Sequence, residues 1–167
     1  GAPRPAGGVE AAAEVRSLFD EWEARATAAQ NALNSGAAST AAYEVLREVL
    51  SGHRGAAREL ALRTEQAIAP LRDQLNALGP PPENGASEPD QVAAERSSLN
   101  QRIAELEARA RQAELARARA DALIDDIGAL VRERFADQLL SRGPSPLSPG
   151  LWIDAAEEAT EFAGRLA

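Results

Sequence analysis

The stretch from Ser87 to Arg142 contains no proline after Pro89 and a single interior glycine, Gly128, so the backbone has almost nothing to stop one very long helix. Apolar or alanine positions recur along it at Val92, Leu99, Ile103, Leu106, Ala110, Ala113, Ala120, Ile124, Ile127 and Val131. That alternating three-four spacing is a seam facing partner helices. At 1.5 Å per residue the helix is roughly 75 Å long, whereas a compact globule of this chain length is about 40 Å across. The partner must be of similar length, and the expected fold is all-α: an elongated antiparallel bundle of about four helices around a long central helical hairpin.

The remaining helices follow from their punctuation. Residues 1–8, rich in proline and glycine, read as a disordered lead-in to one helical domain over 9–167. The first helix is expected over 9–33, with Val15, Phe19, Trp22, Ala26, Ala29 and Leu33 on one stripe. Gly36 ends it, and Ser39 or Thr40 caps the next. The second helix, over 40–78, carries the seam Tyr43, Leu46, Leu50, His53, Ala57, Leu60, Thr64, Ala67, Leu71, Leu75 and Leu78. Pro70 inside it removes one ladder hydrogen bond and is expected to kink or divide the helix. GPPPENGASEP makes a hairpin loop, with Ser87 and Asp90 resembling a capping box for the long helix over 88–142. RGPSPLSPG then forms a rigid corner before a last helix over 149–166, whose Leu151, Ala155, Ala159, Phe162 and Leu166 share a side.

Short loops make consecutive helices antiparallel neighbours. This predicts Tyr43 near Ile127, Leu50 near Ala120 and Leu71 near Leu99. On the other side it sets Trp22 near Gly52 and Phe19 near Gly55, large rings opposite missing side chains. The region around Leu71 to Ile103 is left as a two-stranded arm beyond the first and last helices.

Function is bounded mostly by exclusion. Cysteine is absent, which removes disulfides, thiolate catalysis and thiolate metal sites. All basic residues are arginine, so no Schiff-base or phosphate-loop lysine exists. A net charge of −8 opposes a nucleic-acid or anionic-lipid surface. His53 lies on the seam opposite Arg117 and reads as a polar seam residue, not a metal ligand. Asp121, Asp125 and Asp126, and Glu157, Glu158 and Glu161, are carboxylate clusters able to do acid-base or cation chemistry only in a dry pocket, and read as solvated faces. Arg109, Arg111, Arg117 and Arg119 interleave with Glu105, Glu107 and Glu114 at ion-pair spacings. Trp152 is expected to lock the proline corner. Narrow alanine seams leave little room for a ligand cavity. The expectation is therefore a protein that is no enzyme, with no catalytic, cofactor-binding or metal residues, no cofactor and no small-molecule substrate.

From Pro70 to Trp152, most distinctively in PLRDQLNALGPPP and RGPSPLSPGLW, the sequence resembles the N-terminal periplasmic helical domain of unknown function found in large proteobacterial mechanosensitive channels of the small-conductance family. The resemblance implies a periplasmic accessory module, the extracytoplasmic part of an inner-membrane protein. It also implies a role in gating, assembly or envelope contact during osmotic stress. The implied partners are the membrane-channel part of the same polypeptide and neighbouring subunits of a homo-oligomeric ring, with no nucleic acid. The alternative is a free-standing coiled-coil scaffold or protein-interaction module.

Overall fold

The structure, a computed structural model, describes residues 6–83 and 86–143. It is all-helical over these residues, with three helices: α1 (Ala6–Ser35), α2 (Thr40–Ala77) and α3 (Asp90–Arg142). The expected fourth helix at 149–166, the proline corner and Trp152 lie outside the described residues. The chain divides into two compact units, Gly1–Ile127 and Gly128–Ala167, with the boundary inside α3 at its one interior glycine.

Each helix end has a local cause. α1 starts at Ala6, ahead of the expected Val9, and stops at Gly36, which takes the left-handed φ of 62° that side chains resist. Ser39 caps α2 by accepting a hydrogen bond from the Ala42 amide through Oγ at 3.1 Å. Gly79, at φ 73°, turns the chain out of α2. The expected capping box at Ser87 does not start α3. The helix begins after Pro89, whose carbonyl accepts from the Val92 and Ala93 amides. Glu88 is drawn instead to Arg96, one turn and a half into α3. α2 passes through Pro70 as one helix, neither divided nor interrupted; Pro70 and its neighbour Ala69 are exposed, on the side away from the seam.

Within the first unit α1 and α3 both pack on α2. Phe19 and Trp22 from α1 meet Ala57 and Ala61 from α2 and Ala113 from α3 in one buried cluster. A second cluster, Ile68 with Ile103 and Leu106, is flanked by Leu71 and Leu75 and, among the described residues, draws on α2 and α3 alone. Leu71 thus joins residues a turn beyond its expected neighbour Leu99. Ion pairs cross the helices as well, Arg54 to Asp121 at 3.0 Å and Arg72 to Glu107 at 2.7 Å. The α1–α2 register is as expected, since the Trp22 ring lies tilted 6.3 Å from that of His53 and the Tyr43 hydroxyl donates to the Ala32 carbonyl at 2.7 Å.

Two details of the seams differ from the expected ones. In α2 the buried line runs Tyr43, Leu50, Ala57, then Ala61, Thr64 and Ile68, leaving Leu60 half-buried and Ala67 exposed. A 3.6-residue helix drifts against a strict seven-residue repeat by about 20° per heptad, so after two heptads the interior line slips one residue forward. In α3 Leu123 is buried and Ile124 only half-buried. Thr64 sits in this seam without an orphaned hydroxyl, because Oγ1 donates to the Leu60 carbonyl at 2.7 Å.

Candidate interaction groove

Between α1 and α3, with α2 as its floor, the first unit carries a surface groove of about 520 Å³. Its apolar lining comes from the residues that also build the packed seam. Phe19 and Trp22, three residues apart on α1, point the same way because i and i+3 share a helix face. They meet edge to face, with ring centroids 5.5 Å apart and an 81° interplanar angle. Leu50 lies beneath, and Leu115 and Ala116 of α3 form the opposite wall. Trp22 is only 6% exposed, so its ring is a wall fixed by packing. Leu115, by contrast, is 71% exposed and stands as a ridge, because a second groove of about 920 Å³ on the α2–α3 side begins at the same residue.

The rim is charged. Asp20 and Glu23 lie on the α1 edge, and Arg119 on the α3 edge, where its guanidinium donates to Glu23. This pair crosses from α1 to α3 and ties the two walls together. A groove of this size is a departure from the expectation that alanine seams leave little room for a ligand cavity. The cause lies in the sizes of the facing residues. Large rings on α1 meet Ala57, Ala61, Ala113 and Ala116, so the helices are held apart at the rings and the gap beside them stays open.

The sequence-predicted polar residues have definite places, and most are already engaged. His53 faces α1, with Nε2 4.0 Å from the Glu21 carboxylate and its ring 6.3 Å from that of Trp22. Its Nδ1 is buried, with no hydrogen-bond partner among the described residues. Arg117, expected opposite His53, lies on α3 bonded to Glu114 at 2.9 Å and Asp121 at 2.8 Å. Hydrogen bonding to Glu114 raises the Arg117 guanidinium above its ordinary range, with the charges of Glu114 and Asp121 adding to the effect against partial desolvation. Asp121 is shared between Arg117 and Arg54, while Asp125 and Asp126 are exposed. The three aspartates do not converge, and no group of metal-ligating side chains is found among the described residues. Glu157, Glu158 and Glu161 lie outside the described residues. Arg111 approaches Glu107 within 4.0 Å, one turn away as the spacing predicts, but Arg119 reaches across to α1.

A further polar cluster, unforeseen from the sequence, closes the α2–α3 hairpin. Arg96 donates to Glu88 through Nη2 at 2.7 Å and Nε at 3.2 Å, and through Nη1 to the Gly79 carbonyl at 3.0 Å. Both side chains are mostly buried, and the Glu88 hydrogen bonds raise the Arg96 guanidinium above its ordinary range against an opposing desolvation. The fork geometry uses both carboxylate-facing nitrogens and leaves the third for the helix end, a role no lysine could fill.

Residues 110–167 match the model of a family described as proteins of unknown function, DUF3772. The match covers less than half of the chain and begins inside α3, ahead of the α3 residues that line the groove. Its description names no activity. No curated protein and no solved structure matches the chain. No helix among the described residues is long and apolar enough to cross a membrane.

Proposed function

We propose that this chain is a non-enzymatic helical accessory module that acts by packing against other protein, in the periplasmic part of a small-conductance-type mechanosensitive channel. The observation that carries the interaction role is the groove: a rigid aromatic wall, an exposed leucine ridge and a charged rim, all on one face of a close-packed unit. Its recessed apolar centre and polar edge are the anatomy of a protein-binding surface. The carboxylates that could have served chemistry support the same reading, since Asp121 is neutralised by two arginines and its neighbours face solvent. The channel context rests on the resemblance of Pro70 to Trp152, with its helical hairpin and proline-rich ends.

The test is electrophysiological. In cells carrying the uninterrupted gene, in-frame removal of residues 6–142 is expected to shift the membrane tension at which channels open, or to lower survival of hypoosmotic shock. Unchanged tension thresholds and unchanged survival reject the channel reading. The second reading, a free-standing scaffold, is favoured by the groove alone, because a docking face serves a scaffold equally well. Fractionation separates the two: a channel module sediments with membranes, and a scaffold does not.

A further inference from the structure

We infer that the second groove, on the α2–α3 side, is the seat for α1 of a neighbouring copy of this chain, in a one-way contact that repeats from copy to copy. The inference rests on the reading of the chain as a module that packs against other protein, and it adds the surfaces and the partner. The α2–α3 hairpin has two long faces. Its own α1 covers one, where Phe19 and Trp22 meet Ala57, Ala61 and Ala113. The other carries the groove of about 920 Å³, whose apolar part is Ile68, Ala110, Leu115 and Ala118. Helical spacing sets the two faces apart on α3: Gln112, Ala116 and Arg119 lie to the α1 side of Ala113, and Glu107, Glu114 and Ala118 to the other. One face of the hairpin thus holds a helix. The opposite face, edged by a leucine 71% exposed, holds none among the described residues.

What fits such a groove is a helix with a slim outer face, and α1 has one. Ala13, Ser17, Asp20, Ala24 and Thr27 follow one another at alternating steps of four and three, on the side of α1 away from its buried rings, and all are exposed. None of the five is bulky, so this face can lie close against a leucine ridge.

Charge decides the occupant. At the groove, Glu65 stands on the α2 wall and Arg111 on the α3 wall. Glu65 has no ion pair among the described residues, and Arg111 has only a 4.0 Å approach to Glu107, a carboxylate that Arg72 already holds at 2.7 Å. Arg16 and Asp20, one turn apart on α1, supply the opposite signs. Neither has an ion pair among the described residues, and Arg16 donates to the Ala12 carbonyl of its own helix. Each surface therefore offers one cation and one carboxylate with no strong charged partner inside the chain, around an apolar centre, as in an interface core with a polar rim. This matters because a chain of net charge −8 repels its copies almost everywhere else. The two surfaces differ, α1 on one copy and the hairpin groove on the next, so the contact is heterologous and closes into a ring when the rotation per copy allows.

The experiment is sedimentation velocity of the full chain from micromolar to submillimolar concentration, with far-UV circular dichroism to verify folding. The expected result is association past the dimer, to rings or short open assemblies, weakened by high salt. Leu115→Glu is expected to raise the Kd of the contact at least about tenfold, since the ridge no longer offers a leucine to bury. Ala24→Trp, which blocks the slim face of α1, is expected to do the same. An equimolar mixture of these two variants is expected to give one-to-one dimers and nothing larger, because only the intact groove of one and the intact α1 of the other still meet. Asp20→Arg or Arg111→Asp alone is expected to weaken association, and both on one chain to restore it. A chain that stays monomeric throughout overturns the proposal, as does association that stops at a dimer, the mark of a self-complementary contact. Assembly indifferent to Leu115→Glu, or a mixture of the two blocked variants that stays unpaired, overturns it as well. None of these outcomes alters the tension measurement, so failure here is distinguishable from failure of the channel reading.

Discussion

At the scale of single residues, the most instructive positions are Gly52 and Gly55. Their placement opposite Trp22 and Phe19 predicts that the missing side chains make room for rings. In the structure a Cβ added at either glycine meets nothing within 4 Å, and both are exposed. The room comes from Ala57, Ala61 and Ala113 instead. A helical ring leans toward the N-terminus of its own helix and covers a spot off its own Cα level, which nearest-number matching does not capture. Gly52→Ala and Gly55→Ala are therefore each expected to stabilise the fold by about 0.5–1 kcal/mol through helix propensity. Thermal or urea melts of the single variants check this, and a loss of stability would restore the ring-in-gap picture. Tyr43 gives the opposite case. It is fully buried, and its hydroxyl serves the Ala32 carbonyl at the end of α1. Tyr43→Phe keeps the ring but leaves a carbonyl without that donor, an expected cost of about 1 kcal/mol, read as a lower urea midpoint at unchanged m-value.

For whole elements, the sequence reads well where one cause acts alone. The three described helices, their order, the capping by Ser39, the terminating Gly36 and Gly79, and the α1 stripe from Phe19 to Ala29 all follow from local rules. Legibility fails where two causes compete. Ser87 and Asp90 have the spacing of a capping box, yet α3 starts only at Asp90, and Glu88 between them bonds to Arg96. From Ala120 both a three- and a four-residue step continue the seam, and nothing local chooses between Leu123 and Ile124. Packing against α2 chooses Leu123, at 2% exposure. Leu123→Ala is accordingly expected to cost about 2–5 kcal/mol, and Ile124→Ala, half-buried, distinctly less. Equal losses in denaturant melts of the two variants would put the interior line of α3 back at Ile124. The groove was hidden for a related reason. Leu115 falls between charged residues and off the seam, so periodicity assigns it to the solvent face; only the meeting of α1 and α3 gives that face a hollow.

At the scale of the molecule, the units of packing and the span of family similarity do not coincide. The compact first unit ends at Ile127, whereas the matched region starts at Ala110. Residues Ala110, Ala113, Ala120, Leu123 and Ile127 therefore belong to the matched span while being buried in the first unit. Ala113 is covered by α1 and α2 residues that lie outside the match. A helix stripped of its seam partners keeps only propensity, which is marginal for a segment of this length in water. A fragment of residues 110–167 is thus expected to lose protection at the amides of Ala113 to Ile127, whereas a fragment of residues 6–127 retains the Phe19–Trp22 cluster and is expected to melt cooperatively. Hydrogen exchange on the two fragments, set beside the full chain, decides it. Native-level protection of Ala113 to Ile127 in the shorter fragment would mean that the matched region folds by itself and that α1 and α2 are additions to it. Loss of protection there, with cooperative melting of residues 6–127, would mean that the α1–α2 pair is the scaffold on which the first part of the matched region is held.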